Sequence, residues 1–242
     1  YNIFMKKIID FKKPYIYVII IVVILLAIFL PRLVASFKGE NRVTMAIPDS
    51  EMKAQKYAAK NSLAIEDGDL LSGSKRAKLK IFVYEDYSDV FSANLDESIE
   101  KIKTESDGDL AVVYRPYVAA NALSSQSASL VACAAEQGKW QEMRALLFSR
   151  LKNRQGIDNS SELASKIELD QQSLDSCLTK WQKSGKIEEL ASKSDTLAIQ
   201  GSPTIFIGDE MIIGARPYED FIDSNGDRIK GLKRIVLEKL AE

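Results

Sequence analysis

Three acidic side chains within five residues, Glu85, Asp86 and Asp89, and two cysteines, Cys133 and Cys177, are the groups whose types and spacing could support a reaction. Neighbouring carboxylates serve general acid–base chemistry when their surroundings separate their pKa values. A cysteine pair serves disulfide exchange when one thiol ionises and the other can reach the mixed disulfide. Much else is excluded. The 242 residues include no His, which removes a Ser-His-Asp triad, a Cys-His pair, His-ligated zinc and a histidine proton shuttle. Two cysteines cannot hold a Cys₄ zinc site or an iron–sulfur cluster within one chain. A formal net charge of −1 leaves no electrostatic footprint for nucleic acid. There is no Gly-rich phosphate loop. Residues 223–227 (DSNGD) open like a calcium loop, but Arg228 and Arg234 stand where such a loop needs Gly and Glu. That stretch reads as a turn or helix cap. Neither a metal nor a cofactor is expected.

The elements around these groups follow from hydrophobic spacing. Residues 79–84 (LKIFVY) predict a buried strand. Residues 89–104 predict a helix with Phe91, Leu95, Ile99 and Ile102 on one face. Residues 110–114 (LAVVY) predict a second strand, and a strand, helix and strand this close form a parallel βαβ unit with a right-handed crossover. From Asn121 to about Gln200 the pattern is helical, with helices through SSQSASLVACAAEQ, KWQEMRALLFSRL, SELASKIEL, QQSLDSCLTKWQKS and KIEELASKSDTLAI. Trp140 and Trp181 fall at apolar positions of this block and read as core. Then Gly201-Ser202-Pro203 precedes two short strands, 204–207 (TIFI) and 211–213 (MII), which form a hairpin about Gly208-Asp209. A C-terminal helix is amphipathic over 229–240. On this pattern Glu85, Asp86 and Asp89 read as a solvated strand end and helix cap rather than an acid–base pair.

The N-terminus points to a membrane. Residues 15–30 carry no charge, with Lys6, Lys7, Lys12 and Lys13 upstream and Arg32 behind. A helix of that length spans about 24 Å, slightly short of a hydrocarbon core of ~30 Å. Pro14, Pro31, Leu33 and Val34 extend it, with Arg32 snorkelling. The four lysines place the N-terminus in the cytoplasm and the rest outside. A cleaved signal peptide, ending near Val34-Ala35-Ser36, is the competing reading; the anchor is preferred because signal cores are usually 7–15 residues. No Cys follows the apolar run, which argues against a lipid anchor. Met5-Lys6-Lys7 reads as a natural start, so residues 1–4 look like an overextended reading frame. The expected organisation is a basic cytoplasmic segment (1–14), a signal-anchor helix (15–34), a polar spacer (35–76) with a short stalk helix near 50–61, and one extracytoplasmic domain (77–242), periplasmic or at the cell surface.

The motifs of that domain resemble the DsbA-like branch of thioredoxin-fold thiol–disulfide oxidoreductases. Members read Phe-Ser-Asp-Phe-x-Cys-Pro-x-Cys after the first strand, where this chain has Tyr84-Glu85-Asp86-Tyr87-Ser88. They often read Cys-Ala-x-x-Gln-Gly-Lys-aromatic in the insertion; here Cys133-Ala134-Ala135-Glu136-Gln137-Gly138-Lys139-Trp140 stands. Near the end they read Gly-x-Pro-Thr and Gly-Ala-x-Pro-Tyr, matched by Gly201-Ser202-Pro203-Thr204 and Gly214-Ala215-Arg216-Pro217-Tyr218. The resemblance covers roughly residues 70–242. It implies an α/β thioredoxin-like fold whose βαβ and ββα halves flank an all-helical insertion at about 119–200.

In that register the catalytic cysteines of the family fall on Asp89 and Ser92. An oxygen cannot exchange disulfides, whereas Asp suits the same helix start as a cap, stabilised by about 0.3–1 kcal/mol through the helix dipole. The resemblance also implies a cis Pro203 beside this site, with Ser202, Pro203 and Thr204 able to hold an extended peptide. Cys133 and Cys177 match cysteines of relatives and are expected to form a structural disulfide, contributing roughly 3–4 kcal/mol. Two buried thiols and a relocated redox pair are the alternatives. The expected function is a membrane-tethered binding protein, chaperone-like or a scaffold, acting on unfolded or envelope proteins without a redox pair. The alternative is an active oxidoreductase using Cys133/Cys177 or the cysteines of a partner. A third option is a structural subunit whose groove binds nothing.

Overall fold

The computed structural model describes residues 63–242. The signal-anchor helix, the stalk helix and most of the spacer lie outside the described residues. Among the described residues no helix is long and apolar enough to cross a membrane.

The apolar runs read as strands form one sheet. Strands β1 (Leu70–Ser72), β2 (Leu79–Glu85), β3 (Leu110–Pro116), β4 (Thr204–Ile207) and β5 (Glu210–Ile213) lie in the order β1-β3-β2-β4-β5. β2 and β3 are parallel, in register from Leu79↔Leu110 to Glu85↔Pro116, and the other pairs are antiparallel. Helix α1 (Val90–Glu105) makes the crossover between β2 and β3. β1 lies in a stretch the sequence assigns to the spacer. Its three residues are bracketed by turn-forming Gly, Asp and Ser and are too few to show an alternating pattern; pairing with β3 is what orders them.

The sheet is buried on both faces, which is why β2 and β3 read as continuous apolar runs. Ile81, Val83, Val112 and Tyr114 point into a core closed by α1 and the C-terminal helix α7 (Leu232–Ala241). Phe82, Tyr84 and Val113 point to the other side, onto Leu197, Ile199 and Phe206. The helical insertion comprises α2 (Ala122–Glu136), α3 (Trp140–Lys152), α4 (Ser160–Lys166), α5 (Gln171–Lys183) and α6 (Lys186–Thr196). It has its own core around Leu130, Met143, Leu147, Phe148 and Leu163. α2 stops where Gly138 takes φ +73°, a conformation disfavoured for residues with a Cβ. Trp140 and Trp181 are half-buried against this core, and Trp140 also packs on Tyr114 at 5.6 Å. Residues 223–227 form the turn of a small hairpin, β6 (Phe221–Ile222) with β7 (Arg228–Ile229), where Asp223 Oδ1 accepts from the Asn225 and Asp227 amides.

Candidate functional site

The site is built where β2 ends and α1 begins. Asp89 has extended backbone (φ −104°, ψ 127°) and is the N-cap of α1. Its Oδ1 accepts from the Phe91 amide at 3.0 Å, and its Oδ2 from the Ser92 amide at 3.3 Å and the Ser92 hydroxyl at 3.4 Å. These bonds satisfy donors that a helix start leaves open. Asp89 is half-buried, and burial raises its carboxyl pKa, opposed by the two amides.

Ser92 is fully buried. Its hydroxyl lies 2.7 Å from the hydroxyl of Ser202, which also accepts from the Asp86 amide at 2.7 Å. The peptide bond from Ser202 to Pro203 is cis. The loop from the far end of the chain is thus tied to both β2 and α1 through one serine hydroxyl. Thr204 is buried in β4 and its hydroxyl donates to the Gly201 carbonyl at 2.7 Å, so its side chain holds the loop rather than facing solvent. The backbone N–H and C=O of Ser202 make no hydrogen bond among the described residues. Just before Ser92 in the chain, Val90 and Phe91 are 43% and 59% exposed, unusual for large apolar side chains at the start of a packed helix.

Glu85 and Asp86 differ from the sequence expectation: both are buried, not solvated. Arg144 of α3 provides the reason for Glu85. Its Nε and Nη2 donate to the two Glu85 oxygens at 2.5 and 2.9 Å, and its Nη1 donates to Asp96 at 2.6 Å. The guanidinium lies 4.1 Å from the centre of the Tyr114 ring. Asp86 Oδ1 accepts from the Ser88 amide at 2.8 Å and its hydroxyl at 2.6 Å. The available signal was an arginine inside the apolar run Met143–Phe148, on a face that should be buried. Its partner lies 59 residues away.

Cys133 of α2 and Cys177 of α5 form a disulfide, both sulfurs within the core of the insertion. No cysteine among the described residues is free.

A family model described as thioredoxin matches residues 66–223, and the chain belongs to that family. Solved structures resemble it along most of its length. The thiol-disulfide exchange protein alpha-DsbA2 from Wolbachia pipientis is 14% identical with a TM-score of 0.59, covering 79% of this chain and 97% of that one. Oxidised BdbD from Bacillus subtilis is 16% identical with a TM-score of 0.58, covering 72% and 94%. The catalytic domain of Proteus mirabilis ScsC is 25% identical with a TM-score of 0.52, covering 79% and 98%. The first two likenesses concern the fold alone. No curated protein matches the chain in sequence.

Proposed function

We propose that this chain is a DsbA-like thioredoxin-fold protein that binds extended polypeptide beside Pro203 without thiol–disulfide chemistry, tethered to a membrane by residues 15–34 with its domain outside the cytoplasm. One observation carries the reading: the Ser202 backbone N–H and C=O have no partner among the described residues, while Val90 and Phe91, just before the Ser92 that bonds to Ser202, are exposed. A peptide in extended conformation pairs with such groups as an added strand would, while apolar side chains dock on the neighbouring surface. Thr204 acts by fixing the loop. The positions that the family resemblance gives to the catalytic cysteines hold Asp89, which caps α1, and Ser92, which bonds to Ser202. Neither oxygen can form or resolve a mixed disulfide.

The reading of an oxidoreductase using Cys133/Cys177 meets an obstacle of access. The two residues are 0% and 2% exposed, and exchange requires in-line approach of a thiolate to sulfur. An insulin-reduction assay on the full chain in uncharged detergent tests the proposal. No turnover above the thiol reductant alone is expected. Turnover that disappears in Cys133→Ser would overturn it.

A further inference from the structure

Between the C-terminal half of α2, one face of α6 and the ends of β1–β3 lies a cleft of about 680 Å³, within the range of small-molecule sites. Leu70, Val131, Leu190 and Leu197 form an apolar floor, and Trp181 stands at one side.

The charges around it do not balance. Arg115 is engaged: Nε and Nη2 donate to Asp69, Nη1 to the Tyr84 hydroxyl and Nη2 also to the Ala64 carbonyl. Lys193 is engaged by Glu66 and Glu189. Lys186 is the one basic side chain of the lining without a partner among the described residues, whereas the carboxylates of Asp67 and Glu136 are both without one. The helix end adds to this. α2 finishes at the cleft on Glu136 with no basic residue in its last turn. Each of α1, α3, α4, α5, α6 and α7 has Lys or Arg in that position. A helix C-terminus carries partial negative charge, so the cation that the other helices supply themselves is missing here.

A second, separate observation concerns Tyr87. It forms part of the cleft wall and is 1% exposed, and its hydroxyl is buried with no hydrogen-bond partner among the described residues. Buried hydroxyls are nearly always bonded.

We propose that this cleft binds an organic cation with an apolar body. The ammonium or guanidinium lies against Glu136, Asp67 and the α2 terminus, the body lies on the leucine and valine floor, and the Tyr87 hydroxyl offers one hydrogen bond. The chemistry is met by a free amine or by a Lys or Arg side chain of a peptide. This site is independent of the peptide site beside Pro203.

The test is calorimetric titration of the full chain, in uncharged detergent, with 3-phenylpropylammonium, 3-phenylpropanol and 3-phenylpropanoate. The ammonium compound should bind saturably at one site and about tenfold or more tighter than the alcohol or the acid. Glu136→Gln should weaken it severalfold. Ala132→Trp, at a half-exposed position of the lining, should abolish it, and Ala135→Trp serves if that variant does not fold. Binding of acetyl-lysyl-phenylalaninamide more tightly than the free amine assigns the site to a peptide side chain, and the reverse assigns it to a free amine. No saturable binding, equal affinity for the three compounds, or binding that survives the tryptophan would overturn the proposal.

Discussion

Asp89 occupies a position where charge and burial oppose each other. Two amides and the start of α1 favour the carboxylate, while burial favours the acid and raises its pKa. The folded chain therefore holds this proton more tightly than the unfolded chain. The contribution of the group to stability is fully present below the unfolded pKa and is lost as pH rises through the folded one. Asp89→Asn keeps a capping oxygen but does not titrate. Urea unfolding from acid to neutral pH should show the variant gaining on the native chain as pH rises; a gap that moves the other way would show that the amides outweigh burial. Asp89→Ala removes the cap and should cost about 0.5–2 kcal/mol at either pH. The cap was legible in the sequence, because Asp before a predicted helix is a local signal. The bond from Ser92 to Ser202 was not, since it joins residues 110 apart through a loop that only the folded sheet brings back.

Two connections stabilise the helical insertion and can be broken singly. The first is the ion pair of Glu85 with Arg144, which ties the end of β2 to α3 and draws in Asp96 of α1. Removing one partner leaves a buried charge. Arg144→Ala should therefore cost about 3–5 kcal/mol in thermal or urea unfolding, and the Glu85→Leu/Arg144→Met pair should recover most of it. A pair as unstable as the single variant would show that Arg144 contributes through packing on Tyr114 and Phe148 instead. The second is the Cys133–Cys177 disulfide between α2 and α5, closing a loop of 44 residues. Its replacement by Ala at both positions should lower stability by about 3–4 kcal/mol, read from urea midpoints under oxidising conditions. Sequence patterns located α2, α3, α5 and their ends well, because each carries an apolar stripe and a Gly or Asp boundary. They missed the β6–β7 hairpin and β1, whose strands of two and three residues have too little length for a period to show.

At the scale of the molecule, the order βαβ, helices, ββα already defined a thioredoxin-like sheet with a helical insertion, and the structure has that topology. What the linear order could not show is how the halves meet: at Ser202, where the amide of Asp86 and the hydroxyl of Ser92 converge on one oxygen, and at the cleft between the sheet ends and α6. Both places bring together residues from opposite ends of the fold, and both leave polar groups without partners among the described residues. A binding protein needs such groups in a rigid frame, and it needs no reactive sulfur. The most direct measurement is the affinity of the full chain, in uncharged detergent, for reduced and carboxymethylated α-lactalbumin, an unfolded client with no thiol to exchange. The account expects saturable binding that weakens about tenfold in Phe91→Ser and is unchanged by reductant-free or oxidising buffer. Absence of binding, or binding indifferent to both Phe91→Ser and Val90→Ser, would contradict it.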